Sequence, residues 1–96
     1  MQALYLVCYD IADPRRLRQV HKVTVDHGRR LQLSVYECAL TGMQLAGLRA
    51  QLGDIINHRE DQVLFVHLGP RNEGTYARFE ALGRAYEPPE QRAAVL

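Results

Sequence analysis

Seven apolar residues in unbroken succession, Ala3 to Tyr9, end on the carboxylate of Asp10, and this run constrains the fold more than any other feature of the chain. It has the length of a strand and lacks the alternation of a half-exposed one, so it reads as a central strand buried on both faces. A sheet with such a strand needs covering layers on both sides. The run is far shorter than the roughly 20 residues a membrane helix requires, and no basic segment with a small-residue cleavage site frames it as a signal peptide. A cytoplasmic protein is therefore expected, with no membrane partner.

The remaining segments follow from local chemistry. Asp13-Pro14 pairs a capping carboxylate with the residue best tolerated in a first helical turn, so a helix starts there. Leu17, Val20 and Thr24 fall on its inner side, Arg15, Arg18 and Lys22 on its outer side, and Gly28 is expected to stop it in the left-handed conformation. From Arg30 to Leu40 the apolar residues alternate, first as Leu31, Leu33 and Val35, then as Tyr36, Cys38 and Leu40. That phase slip requires a bulge, bend or change of strand near Ser34. Thr41 with Gln44 forms a capping box ahead of a second helix carrying Leu45, Leu48, Leu52, Ile55 and Ile56 to Asn57, although Gly47 and Gly53 weaken it by up to about 1 kcal/mol each. Gln62 to Leu68 is a further strand, closed by Gly69-Pro70. Thr75 to Gly83 alternates weakly, and a short strand is expected there in preference to a helical turn.

The order of elements is the βαββαβ plan of an α+β sandwich, a ferredoxin-like antiparallel sheet with two helices on one face. Ninety-six residues suit one such domain, expected over residues 1–83 with a C-terminal tail at 84–96. In so short a chain a second copy is the economical cover for the other sheet face, which predicts a two-fold homodimer, sheet against sheet, with the tail docking on the partner protomer.

Charge and side-chain chemistry narrow the function. Net charge is only +1 overall, but residues 14–30 hold Arg15, Arg16, Arg18, Lys22, Arg29 and Arg30 against Asp26, the local concentration expected of a phosphate-binding surface. A solvated helix face is the plainer reading of the same residues. Cys8 and Cys38 lie in strand-like segments outside any CxxC pair and read as reduced core thiols; His21, His27, His58 and His67 lack transition-metal spacing. Glu60 and Asp61 are adjacent and would point to opposite faces of a strand, so they read as turn residues. Asp10 is open between two roles: a turn or helix cap, or an oxygen ligand for Mg²⁺ or Mn²⁺, one carboxylate from each chain of a dimer meeting at the axis. Tyr9 and Tyr36 are open between core packing and stacking on bases.

Tyr9-Asp10-Ile11, Asp13-Pro14-Arg15-Arg16-Leu17, and Gly28 followed by Gln32-Leu33-Ser34-Val35-Tyr36-Glu37-Cys38 together resemble the second core CRISPR-associated protein family, the small partner of the integrase in spacer acquisition. The likeness continues through Glu60-Asp61-Gln62-Val63 and Leu82-Gly83. It implies a ferredoxin-like homodimer and a divalent-metal-dependent endonuclease acting on single-stranded RNA or double-stranded DNA. It also implies assembly with the CRISPR-associated integrase, whose subunits the dimer bridges while holding incoming DNA. The resemblance carries the family's catalytic and metal-binding carboxylate onto Asp10, paired with Asp10 of the second chain, and its nucleic-acid positions onto Tyr9, Arg16, Arg18, Arg30 and Tyr36. Tyr36 is commonly Phe in the family, so its hydroxyl is a departure. Beyond Gly83 nothing matches. Two other readings stay open, a non-catalytic adaptor for integrase and duplex DNA, and an unrelated small domain that binds a metabolite or only dimerises.

Overall fold

The architecture, taken from a computed structural model that describes residues 1–89, is α+β. Its elements are β1 (Ala3–Asp10), α1 (Pro14–Val25), β2 (Arg29–Gln32), β3 (Val35–Leu40), α2 (Gly42–Ile55), β4 (Gln62–Pro70) and the single turn α3 (Glu73–Tyr76). The four strands form one antiparallel sheet in the order β2-β3-β1-β4. The apolar run thus sits at the centre, with Val7 opposite Tyr36 on one side and Phe65 on the other.

Alternation along each strand sorts the side chains. Val7 and Tyr9 of β1 join Tyr36, Cys38 and Leu40 of β3 in one buried cluster with Val20 of α1 and Leu48 and Leu52 of α2. Both long helices therefore cover the same face, where each fully buried aliphatic side chain contributes about 1.5–3 kcal/mol. Leu17, expected on the inner side of α1, is 38% exposed at its rim. Each helix begins as its sequence dictates: the Asp13 side chain accepts from the Arg16 amide at 2.9 Å, and Thr41 and Gln44 close a reciprocal capping box.

The phase slip near Ser34 is a change of strand. β2 ends at Gln32, β3 begins at Val35, and the Ser34 carbonyl between them accepts from the Tyr9 amide at 3.1 Å. Two other expectations are corrected. Gly28 does not adopt the left-handed conformation, since the positive-φ glycines are Gly69 and Gly83. α1 ends instead at an αR cap, Asp26. Gly28 is required because β3 passes so close that a β-carbon there would lie 2.4 Å from the Glu37 carbonyl oxygen and 2.5 Å from Cys38 Sγ. Nor is Thr75 to Gly83 a strand: Asn72 caps the turn α3 through the Thr75 amide at 2.9 Å, and the chain beyond Tyr76 is irregular.

That irregular segment crosses the sheet face opposite the helices. Phe79 and Tyr86 stack with ring centroids 4.2 Å apart, and the Tyr86 hydroxyl donates to Glu37. Glu37 is buried and also holds Arg29, whose Nε lies 3.0 Å from Oε1. The Arg29 guanidinium lies 5.4 Å from the centre of the Tyr86 ring, an attractive cation–π placement. The expected boundary at Gly83 falls between two stacked rings, and the expected tail is described as far as Pro89, residues 90–96 lying outside the described residues. Away from this segment the outer face stays open, and on β4 Leu64 is 48% and Val66 43% exposed. Among the described residues no helix is long and apolar enough to cross a membrane.

Candidate metal and nucleic-acid site

Asp10 closes β1, its backbone paired with Gln62 of β4. Because strand residues alternate, Tyr9 turns towards the helices and Asp10, in phase with Leu6 and Cys8, turns to the open face. Its carboxylate is exposed and has neither hydrogen-bond nor ion-pair partner among the described residues. The capping role open to Asp10 from sequence falls to Asp13, whose carboxyl is held below the usual carboxylate range by the Arg16 amide and the neighbouring guanidinium.

Next to Asp10 lies a denser polar cluster. The Asp61 carboxylate, wholly shielded from solvent, accepts from the Ala12 amide at 2.8 Å, the Asn57 amide at 2.8 Å and Arg16 Nε at 2.8 Å. Arg16 Nη2 adds contacts of 3.3 Å to Asp61 and 3.1 Å to Glu60. Bonding to Arg16, together with the two amides, holds the Asp61 carboxyl far below the ordinary carboxylate range. Glu60 and Asp61 do stand at the turn before β4, but Asp61 is its organising acceptor, and the sequence alone does not reveal this.

The other candidate residues separate into two groups. Arg18 and Arg30 are exposed and make no ion pair among the described residues, and Arg15 and Lys22 extend the same cationic surface along α1. Arg30 lies across from Tyr36, which puts it on the helix side of the sheet, the side opposite Asp10. Tyr9 and Tyr36, by contrast, are core residues, 6% and 0% exposed. Their rings stack on each other at 6.1 Å, so in this conformation neither offers a face to a base. Their hydroxyls converge on Nδ1 of His21, at 3.4 Å from Tyr9 and 2.9 Å from Tyr36. Burial, then the Tyr36 hydroxyl, pushes the Tyr9 hydroxyl up to about 12. The hydroxyl by which Tyr36 departs from Phe thus has a structural partner in His21.

Donor chemistry decides what ion suits Asp10. A carboxylate oxygen is a hard donor, matched to Mg²⁺ or Mn²⁺, which keep several waters and need only one or two carboxylates. Cys38 lies buried on the opposite face with its thiol pushed up to about 11 by burial, which suits a core residue and not a metal ligand. No group of three or more His, Cys, Asp or Glu able to hold a metal occurs among the described residues. One chain thus offers an open, single-carboxylate position that fits a largely hydrated hard cation.

Comparison with known proteins agrees with the motifs. The family profile described as CRISPR associated protein Cas2 matches residues 1–75. The chain is 40% identical to CRISPR-associated endoribonuclease Cas2 1 of Rhodospirillum rubrum over 96% of this chain and 89% of that protein. It is 35% identical to CRISPR-associated endoribonuclease Cas2 of Geobacter sulfurreducens over 100% of both. Among solved structures, a hypothetical protein from Thermus thermophilus superposes with a TM-score of 0.77 at 30% identity, covering 92% of this chain and 99% of that one. Streptococcus pyogenes Cas2 superposes with a TM-score of 0.71 at 34% identity, covering 83% and 99%.

Proposed function

The chain belongs to the Cas2 family of CRISPR-associated proteins, and on that premise we propose that it is a cytoplasmic, ferredoxin-like homodimer of spacer acquisition that binds nucleic acid and hydrolyses phosphodiester bonds at Asp10 with Mg²⁺ or Mn²⁺. The observation that carries this reading is the exposed carboxylate of Asp10 at the end of the central strand, without a hydrogen-bond or ion-pair partner among the described residues and facing the side of the sheet that the helices leave open. A second copy seated on Leu64 and Val66 would bring its own Asp10 to the same side. A hard divalent cation, when bound, supplies the acidity that makes a water nucleophilic and polarises a phosphoryl oxygen. The chain contributes the oxygen ligand at Asp10 and, on the other side of the sheet, the phosphate contacts of Arg18, Arg30, Arg15 and Lys22, which bind any backbone irrespective of sequence. The names of the relatives favour RNA as substrate.

The test compares the pure wild-type protein with Asp10→Asn of matched folding and oligomeric state, on single-stranded RNA and duplex DNA, with and without Mg²⁺ or Mn²⁺. Metal-dependent cleavage that falls about 100-fold or more in the variant is expected, the scale of losing a group that acts in the transition state. Cleavage that survives in Asp10→Asn refutes Asp10 as the centre and points to a contaminant or another site, and cleavage absent from the wild type refutes the enzyme. A second reading is favoured by the want of a multi-ligand cluster among the described residues: a non-catalytic adaptor that bridges the CRISPR-associated integrase and holds duplex DNA. It requires integrase-dependent DNA insertion to be intact in Asp10→Asn.

A further inference from the structure

Among the described residues the Asp10 side chain has no hydrogen-bond or ion-pair partner, so its position is inherited from the backbone around it. That backbone is fixed from one point. Ala12, two residues beyond Asp10, donates its amide to Asp61, and Gln62, the residue after Asp61, is the strand partner of Asp10. Asn57 ties the start of the α2–β4 turn to the same carboxylate, and Arg16 ties in the first turn of α1. Asp61 therefore joins the β1–α1 turn that follows Asp10 to the start of β4, the strand beside it.

From this geometry we propose that Arg16 and Asp61 are positioning residues for the Asp10 carboxylate, holding the β1–α1 turn in the form that meets a divalent cation, and that Arg16 is not a phosphate contact. The inference rests on Asp10 being a metal ligand. Only 23% of the Arg16 side chain is exposed, against none of Asp61. Turning the guanidinium to a phosphate would strand a buried carboxylate, which is far costlier than leaving an exposed one unpaired. Arg18 and Arg30 have no such obligation. Residues that orient a metal ligand through hydrogen bonds change metal affinity when removed, even though they never touch the ion.

The experiment uses the full chain and two readouts. Mn²⁺ alone is titrated into wild type, Asp10→Asn, Asp61→Asn and Arg16→Gln; separately, affinity for a single-stranded RNA oligonucleotide is measured against salt for wild type, Arg16→Gln and Arg18→Ala. Asp61→Asn and Arg16→Gln are each expected to weaken Mn²⁺ binding about 10-fold. Loss of one phosphate contact flattens the slope of log affinity against log salt by about 0.7, which is expected for Arg18→Ala and not for Arg16→Gln. Should either clamp variant fail to fold, Arg16→Lys, which keeps the charge and a donor towards Asp61, takes its place in the Mn²⁺ titration with a weakening in the same direction. Wild-type Mn²⁺ affinity in the folded clamp variants, or a slope flattened in Arg16→Gln as in Arg18→Ala, overturns the inference while leaving Asp10 as the ligand. Absence of Mn²⁺ binding in wild type, or binding undiminished in Asp10→Asn, overturns the inference and the metal-site reading together.

Discussion

The two faces of the sheet are built on opposite principles. On the helix side, Val7, Tyr9, Tyr36 and Cys38 are closed in by Val20, Leu48 and Leu52, and even the polar atoms of the tyrosines are engaged with His21. On the other side, Glu37 is satisfied by Arg29 and Tyr86, but Leu64 and Val66 remain open and the Asp10 carboxylate has no partner among the described residues. The same strands supply both faces, one residue apart. The difference teaches that along β1 burial and exposure are divided by the pleat: a substitution at Tyr9 tests the fold, and a substitution at its neighbour Asp10 tests the proposed metal site.

The sharpest way to break that division is Tyr36→Ala, which empties a fully buried site and is expected to cost about 3–5 kcal/mol in urea unfolding. Tyr36→Phe loses only the hydroxyl's bond to His21 and should cost about 1 kcal/mol while leaving RNA affinity unchanged. A loss of RNA affinity in a folded Tyr36→Phe protein would restore a nucleic-acid role to this residue. On the open face, Leu64→Lys with Val66→Lys is expected to raise the dissociation constant of the proposed dimer about 100-fold, since like charges would meet across its two-fold axis. Analytical ultracentrifugation showing an unchanged dimer would mean that the copies meet elsewhere. The smallest effect is in acid. The Asp61 carboxyl is depressed in the folded protein, so below the ordinary carboxylate pKa of about 3.9 the unfolded chain binds the extra proton. The stability due to Asp61 is therefore present above that pH and lost as pH falls further towards the folded value. The stability gap between wild type and Asp61→Asn should narrow in that acid range; a gap independent of pH would show that the clamp does not depend on charge.

Much of this was legible in the sequence, because it depends on period and on neighbours a few residues away. The central strand, both long helices and their caps at Asp13 and Thr41 follow from local pattern, and the phase slip at Ser34 correctly marked a break. The motif around Asp10 was equally local. What escaped was set by contacts across the chain. Asp61 looks like an ordinary turn residue until Arg16, 45 positions away, is folded against it. Gly28 looked like a helix stop because glycine there has two explanations, and only the approach of β3 shows that the missing side chain matters more than the backbone angle. The weak alternation after Thr75 read as a strand because period alone ignores where the edges of the sheet lie.

The bond from Tyr86 to Glu37 gives the segment after α3 a chemical meaning. A protein cut at Gly83 would keep every strand and both long helices, yet it would leave a buried carboxylate with Arg29 alone and uncover the Phe79 ring. The last described residues thus act as a closing piece for a charge laid down in the middle of the sequence, and a tag or fusion joined immediately before them would be felt at β3.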